Sequence, residues 1–384
     1  MVIADRYKME ARSAYVHIPF CRHRCGYCNF TLVAGRDRWI GRFLTNLATE
    51  LALLTSPRPL DTLFLGGGTP THLSNTQLEA LLSLLDHWLP RRKNAEFSIE
   101  ANPADLKDQR KHAILRRHGV TRLSLGVQSF QSRKLSLLER DHQTEDIHKV
   151  VDSVRPWIQS LSMDLIFGTP QETLGEWQSD LHQALELPVD HLSTYGLTFE
   201  KGTSFWTRKR RGDLAELDED TAADCYEFTI DRLTEDHFQH YEVSNFARPG
   251  HRCRHNEVYW SGQPFFGFGP GAASYTGTQR DVNHRSTFQY FKLIESQGQA
   301  IGDSESLSET EQAKERLVIG LRRLEGWNLP QFEKDCGISV DALVGTKLQQ
   351  LVDLGYLVRT HDTLRLSRSG LLISDSLWAE LLDT

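Results

Sequence analysis

The chain reads as an α/β protein, an incomplete (β/α)6 barrel followed by a small α+β domain. Short apolar runs alternate with stretches of helical periodicity through its first half. The apolar runs end in glycine or polar residues. Late in the chain a polar segment separates this alternation from a second helical pattern.

Tyr15 to Ile18 is the first predicted strand and runs into a cysteine-rich loop. Trp39, Ile40, Phe43, Leu44, Leu47, Leu51 and Leu54 then recur at helical spacing. Leu63 to Leu65 is a strand stopping at Gly66, Gly67, Gly68, Thr69 and Pro70, and Ser74 with Gln77 forms a capping-box pattern for the next helix. Phe97 to Pro103, Thr121 to Phe130, Leu161 to Pro170 and His191 to Phe199 are four more strands, with helical stretches between them. Six β/α units in series imply a parallel sheet with helices outside, and such barrels gather their active site at the C-terminal strand ends. Glu100, Gln128 and Asp164 fall there, beside the glycine turn and the cysteine loop.

Lys201 to Arg211 is a basic run, ordinarily a solvated surface, though at a mouth it could attract propionates. A helix around Ala222, Cys225, Tyr226 and Leu233 follows, with Cys225 read as a core thiol. Residues 1–297 form the predicted barrel, 298–310 a polar linker and 311–384 the C-terminal domain. In that domain, helices at Glu311 to Arg322, Leu329 to Cys336 and Val340 to Leu354 precede the pair Leu357 to Arg359 and Thr363 to Leu366, a winged-helix pattern. It lacks a dense basic face, so it is read as a packing element or a lid rather than a nucleic-acid binder, and Cys336 as structural.

A net charge of −7 offers no global attraction to nucleic acid or an anionic membrane. No apolar run approaches the roughly 20 residues of a membrane span, and the start, MVIADRYKMEARSA, lacks the apolar core of a leader. The expectation is a cytoplasmic protein without an integral membrane segment.

Cys21, Cys25 and Cys28, spaced C-x3-C-x2-C, are three of six cysteines. A disulfide framework calls for a small, cysteine-dense secreted domain. A structural zinc site needs a fourth ligand, and His23, the one candidate inside the cluster, would strain the loop to reach it. Three thiolates instead suit an iron–sulfur centre with one position open for a ligand.

The motif, with Tyr27 before the last cysteine, resembles the signature of the radical S-adenosylmethionine (SAM) superfamily. The resemblance implies that the three thiolates hold a [4Fe-4S] cluster whose fourth iron is chelated by S-adenosylmethionine, reductively cleaved there to a 5'-deoxyadenosyl radical. GGGTP, SIEANP, GVQSF and MDLIFG extend it to the subfamily of oxygen-independent coproporphyrinogen III dehydrogenase, an enzyme of porphyrin biosynthesis. By that resemblance, Tyr15, Tyr27, Gly67, Gly68, Thr69 and Glu100 surround S-adenosylmethionine. Gln128, Arg140, Asp164 and Gly196 line the rest of that pocket or a second such site. The bland reading of Arg140 is a solvated helix arginine.

Two features select the branch. The dehydrogenases carry a further cysteine two residues after the third, and this chain has Phe30 there. His255, Asn256, Tyr259 and Trp260 of RCRHNEVYW resemble the H-N-x-x-Y-W motif of HemW-type haem chaperones. On spacing alone a loop histidine with a structural hydrogen bond is the better reading; the resemblance implies haem, held through His255 or Cys253. It also implies a haem-acceptor protein and an electron donor, neither of which the residues identify. Coproporphyrinogen III dehydrogenase remains the alternative function, its activity not expected because of Phe30.

Overall fold

Each return from strand to strand is built by an amphipathic helix, and the result is an open parallel barrel. The computed structural model describes residues 10–382; residues 1–9, part of the start read above for a leader, lie outside them. The parallel strands are β1 (Ser13–Ile18), β2 (Leu60–Gly67), β3 (Arg91–Ala101), β4 (Arg122–Gln128), β5 (Ser160–Phe167) and β6 (His191–Gly196), adjacent in that order. The helices between them are α1 (Ile40–Leu51), α2 (Asn75–Trp88), α3 (Gln109–Arg117), α4 (Ser132–Leu137), α5 (Thr144–Val154) and α6 (Leu174–Leu185). The Ser74–Gln77 capping box opens α2 as expected.

Strand side chains alternate between two environments. Leu63, Leu65, Leu123, Leu125, Leu161, Met163 and Leu192 are fully buried in the main apolar core. Their neighbours Ser124, Asp164 and Ser193 line cavities in the lumen. A barrel whose interior wall is polar is a container for ligands rather than a second core.

Three strands enlarge the sheet beyond the six read from sequence. After α7 (Ser204–Arg211) and α8 (Glu219–Glu235), β7 (Gln239–Glu242) and β8 (Asn245–Ala247) continue antiparallel from β6. After α9 (Arg254–Trp260), β9 (Phe266–Phe268) pairs parallel with β1, giving the order β9-β1-β2-β3-β4-β5-β6-β8-β7. Each is three or four residues long, too short for an alternation signal. Gly267 of β9 is required by packing, since a Cβ there would lie 1.9 Å from the Ala273 carbonyl oxygen.

The segment 298–310 is not an irregular linker. Ile301–Ser306 is β12, paired with β11 (Gln279–Asn283), which pairs with β10 (Ala273–Tyr275); α10 (Thr287–Gln297) connects β11 to β12. Five of the six β12 residues are exposed, so an edge strand here has the composition of a loop.

The C-terminal domain contains α11 (Glu309–Gly320), β13 (Trp327–Asn328), α12 (Leu329–Cys336), α13 (Val340–Asp353), β14 (Leu357–Arg359) and β15 (Thr363–Leu366), then α14 (Arg368–Leu372) and α15 (Ser374–Leu382). Its sheet order is β13-β15-β14. Arg322 pairs with the buried carboxylate of Glu242 at 2.6 Å, and α11 packs on α9. Because α9 sits at the N-terminal ends of β2 and β3, the domain covers the barrel floor, not the mouth where a lid would act.

Candidate functional site

The cysteine loop leaves the top of β1 and is held chiefly by His17 and Arg24, which the sequence did not single out. Tyr15 donates its hydroxyl hydrogen to His17 Nδ1 at 3.0 Å, and His17 Nε2–H donates to the Thr31 carbonyl at 2.6 Å. Arg24 donates to the carbonyls of Cys28, Phe30 and Leu32 at 3.2, 3.3 and 3.0 Å. His23 Nε2 bonds to the Glu139 carbonyl and lies 3.6 Å from Cys25 Sγ. Among the described residues, no three His, Cys, Asp or Glu side chains converge on a single ion. The three thiols instead stand around one cavity of about 350 Å³.

Of the residues inferred for S-adenosylmethionine, Tyr27, Gly67, Gly68, Thr69, Glu100, Gln128, Arg140, Asp164 and Gly196 line that same cavity. Tyr15 does not. It lines a second cavity of about 240 Å³ beneath, which shares Glu100, Ser124, Asp164 and Tyr195 with the first. Ser124 and Tyr195, which the sequence did not single out, line both cavities.

Gly67 has φ +107°, and a Cβ on it would meet the His17 ring at 2.4 Å. The turn therefore packs closely against its neighbours: Gly67 N–H donates to Glu100 Oε2 at 2.9 Å, and Gly68 N–H to the Ile18 carbonyl at 2.8 Å. Gln128 takes φ +69° at the end of β4, an uncommon conformation for a residue with a side chain, at the cavity wall.

Arg140 is not a solvated helix arginine. It follows α4, is largely withdrawn from solvent, donates to the Gly126 carbonyl at 2.8 Å and approaches Cys25 Sγ at 3.9 Å. Its Nε is buried with no hydrogen-bond partner. A charged group left partly unpaired in a cavity wall is suited to an anionic ligand.

Burial pushes the Cys21 thiol up to about 11, against a bond to Thr69, and raises Cys25 and Cys28 as well. Such thiols hold their protons at neutral pH until a metal displaces them. Burial, then the nearby Asp164, pushes Glu100 up to about 8, while the Gly67 N–H acts the other way.

Glu100 thus keeps its proton in the folded protein where the unfolded chain has lost it. Its contribution to stability is present at low pH and is lost as pH rises from the unfolded value toward about 8. In ligand-free protein, Glu100→Gln is expected to remove a loss on the order of 3 kcal/mol between about pH 5 and pH 8. Urea denaturation of both proteins across that range measures it; parallel curves contradict the assignment.

The motif residues His255, Asn256, Tyr259 and Trp260 lie elsewhere, on α9 at the barrel floor. His255 is 1% exposed, with Nδ1 bonded to Thr62 Oγ1 at 2.9 Å and Nε2 to the Tyr259 hydroxyl at 2.8 Å. Burial lowers its pKa to about 3. Cys253 is 2% exposed and directed at Glu96. The stretch is a helix, not a loop; Cys253 and His255 both stand in the wall of the lower cavity, nearly without exposed surface and with both His255 nitrogens engaged. Trp260 packs on Tyr241 and Ala247, while Asn256 lines the lower cavity. Tyr259 reaches a further cavity of about 380 Å³ against the C-terminal domain, with Phe265, Tyr275, Arg280, Arg316 and Ile319.

An open β/α barrel with three loop thiols at its mouth, facing a glycine turn and buried carboxylates, defines a radical SAM protein. Residues 15–184 match the Radical SAM superfamily, and residues 307–373 match the HemN C-terminal domain. The chain is 34% identical to the heme chaperone HemW of Bacillus subtilis, covering 97% of this chain and 99% of that protein. It is 31% identical to heme chaperone HemW of Escherichia coli K12, covering 96% and 98%. The solved structure of Escherichia coli coproporphyrinogen III oxidase (HemN), a radical SAM enzyme, matches with a TM-score of 0.86 at 25% identity, over 100% of this chain and 92% of that one. The chain belongs to the HemW family of the radical SAM superfamily.

Proposed function

We propose that the chain is a haem chaperone that binds a [4Fe-4S] cluster through Cys21, Cys25 and Cys28, S-adenosylmethionine beside it, and haem, which it passes to an acceptor protein in the cytoplasm. The observation that carries the cofactor part is the single cavity shared by the three thiols, the Gly67–Gly68 turn, Glu100 and Asp164. Three soft ligands with no fourth, beside the unpaired Arg140 Nε, fit a cluster completed by a small ligand. When bound, the pair supplies reductive cleavage of the sulfonium. Gly67 and Gly68 let the ligand approach the backbone, and Glu100 and Asp164 receive its polar groups. Ser124 fixes Asp164 through a bond of 3.1 Å.

The haem part is supported by the HemW relatives and by the chemistry of Phe30. Phe30 is 58% exposed at the cavity rim and offers no thiol where the dehydrogenases have one. For α9, the reading that fits the bonds is support rather than ligation. His255 holds Tyr259 in place, and Tyr259 presents its ring to the floor cavity, whose aromatic lining suits a flat ring, while Arg280 and Arg316 there are already paired with Glu315 and Asp335.

Anaerobic haem titration of the cluster-loaded protein, followed at the Soret band, tests this. Saturable one-to-one binding is expected, and His255→Ala should weaken it roughly tenfold without moving the band. A shifted band identifies His255 as the axial ligand after all. If the wild type binds no haem, the chaperone reading falls, and coproporphyrinogen III with S-adenosylmethionine and a reductant is the next assay.

A further inference from the structure

Strand β3 begins with an irregularity. Its register against β2 passes from Leu60↔Arg91 to Thr62↔Glu96, two positions along one strand and five along the other. The excess residues bulge out, and Asn94, exposed in the bulge, takes φ +62°. What the bulge meets is α9. The Asn94 carbonyl accepts from Arg254 Nη1 at 2.7 Å, and the buried Glu96 accepts from the backbone N–H groups of Arg254 and His255, both at 3.0 Å. Cys253 directs its thiol at the same carboxylate, 3.7 Å away, and Ser98 donates its hydroxyl hydrogen to it at 3.3 Å.

Helix α9 has no cap of its own, since Cys253 at its start makes no side-chain capping bond. Its first amides are answered instead by a carboxylate 158 and 159 positions away in the chain. Thr62 is the register partner of Glu96, so the two side chains leave adjacent strands in the same direction, and Thr62 Oγ1 holds His255 Nδ1 at 2.9 Å. Thr62 gives its own hydroxyl hydrogen to Ser13 at 2.9 Å. The His255 Nδ1–H therefore donates to Thr62, and Nε2 accepts from the Tyr259 hydroxyl. His255 is fixed at its backbone nitrogen and at both ring nitrogens, and Glu96 is the one charged partner of the three.

We infer that Glu96 is the positioning residue of the haem helix: from the β3 bulge its carboxylate sets where α9 begins, and through His255 it fixes the Tyr259 ring at the floor cavity. The inference rests on the haem reading above. Replacing the carboxylate by an amide keeps the shape and removes the charge that answers two backbone N–H groups. The start of α9 should then loosen while the core beneath it stays closed.

The test uses the cluster-free full chain and compares two buried thiols of one protein. Native-state alkylation with iodoacetamide, quantified by peptide mass, is followed at Cys253, beside Glu96, and at Cys225, in α8. Glu96→Gln should raise the Cys253 rate roughly tenfold and the Cys225 rate by less than about twofold. Asn94→Val, whose branched side chain resists a positive φ, should act the same way from the backbone, and Asn94→Gly should change neither rate. Haem binding, read at the Soret band, should weaken roughly tenfold in Glu96→Gln. Adding His255→Ala should weaken it by no more than about twofold further, because the two residues act as one unit. S-adenosylmethionine binding by the cluster-loaded variant should stay within about twofold of wild type. An unchanged Cys253 rate overturns the inference, as does equal haem affinity in wild type and Glu96→Gln. So does a rise shared by Cys225 or a matching loss of S-adenosylmethionine, either of which marks a general loosening. If the wild type binds no haem, the haem reading falls instead, and the alkylation ratio still decides whether Glu96 holds α9.

Discussion

Cys21→Ser is expected to leave roughly a tenth or less of the wild-type iron after anaerobic reconstitution, with loss of the visible charge-transfer absorbance. A serine oxygen is a hard ligand where a soft one is needed, and three thiolates leave no spare. The effect should be local. Cys21 is only partly buried and its one side-chain bond is to Thr69 at 3.4 Å, so the apoprotein should unfold within about 1 kcal/mol of wild type. Cys225→Ser is the comparison, because Cys225 is buried in the core, its carbonyl accepting from Trp177 of α6, and is not among the residues lining the cavity. It should cost stability and keep its iron. A Cys21→Ser protein with full iron would remove the loop as the cluster site.

Gly68→Ala carries the second large effect. Its Cβ would lie 2.6 Å from the Phe20 carbonyl oxygen and 2.8 Å from that of Ile18. Both obstacles are backbone and cannot rotate away, so the glycine turn and the thiol loop must separate. The expected result is a stability loss of about 2 kcal/mol and S-adenosylmethionine binding weakened by roughly a hundredfold, read by equilibrium dialysis with cluster-loaded protein. Gly175→Ala, in the first turn of α6 with nothing within 4 Å of its Cβ, should change neither. Retained binding in Gly68→Ala would mean that the ligand does not use this turn.

The cavity wall was legible because its residues sit at strand ends in a repeating pattern. Gly67, Gly68, Glu100 and Gln128 sit at or beside the ends of their strands, which a parallel barrel brings together whatever the helices between them, while Asp164 sits inside Ser160–Phe167 as a polar residue breaking an apolar run. His17 and Arg24 were not legible. Each acts through one side chain on loop carbonyls, and no periodicity marks a hydrogen bond to a backbone that has not yet been placed. The mistaken linker has a similar cause: an edge strand that buries no side chain carries no apolar signature.

By itself the sequence determined the six-unit alternation, the three-thiol motif and the winged-helix pattern, because strand and helix periods and a metal-ligand spacing are local properties written within a few residues of one another. Tertiary structure alone decided that the H-N-x-x-Y-W segment is a helix under the barrel floor, with His255 buried and bonded at both nitrogens. It also decided that the basic run lies against the thiol loop, and that the C-terminal domain closes the end opposite the thiols. Those facts depend on which elements meet across the barrel, and residues that meet there are far apart in the chain, Thr62 and His255 by 193 positions.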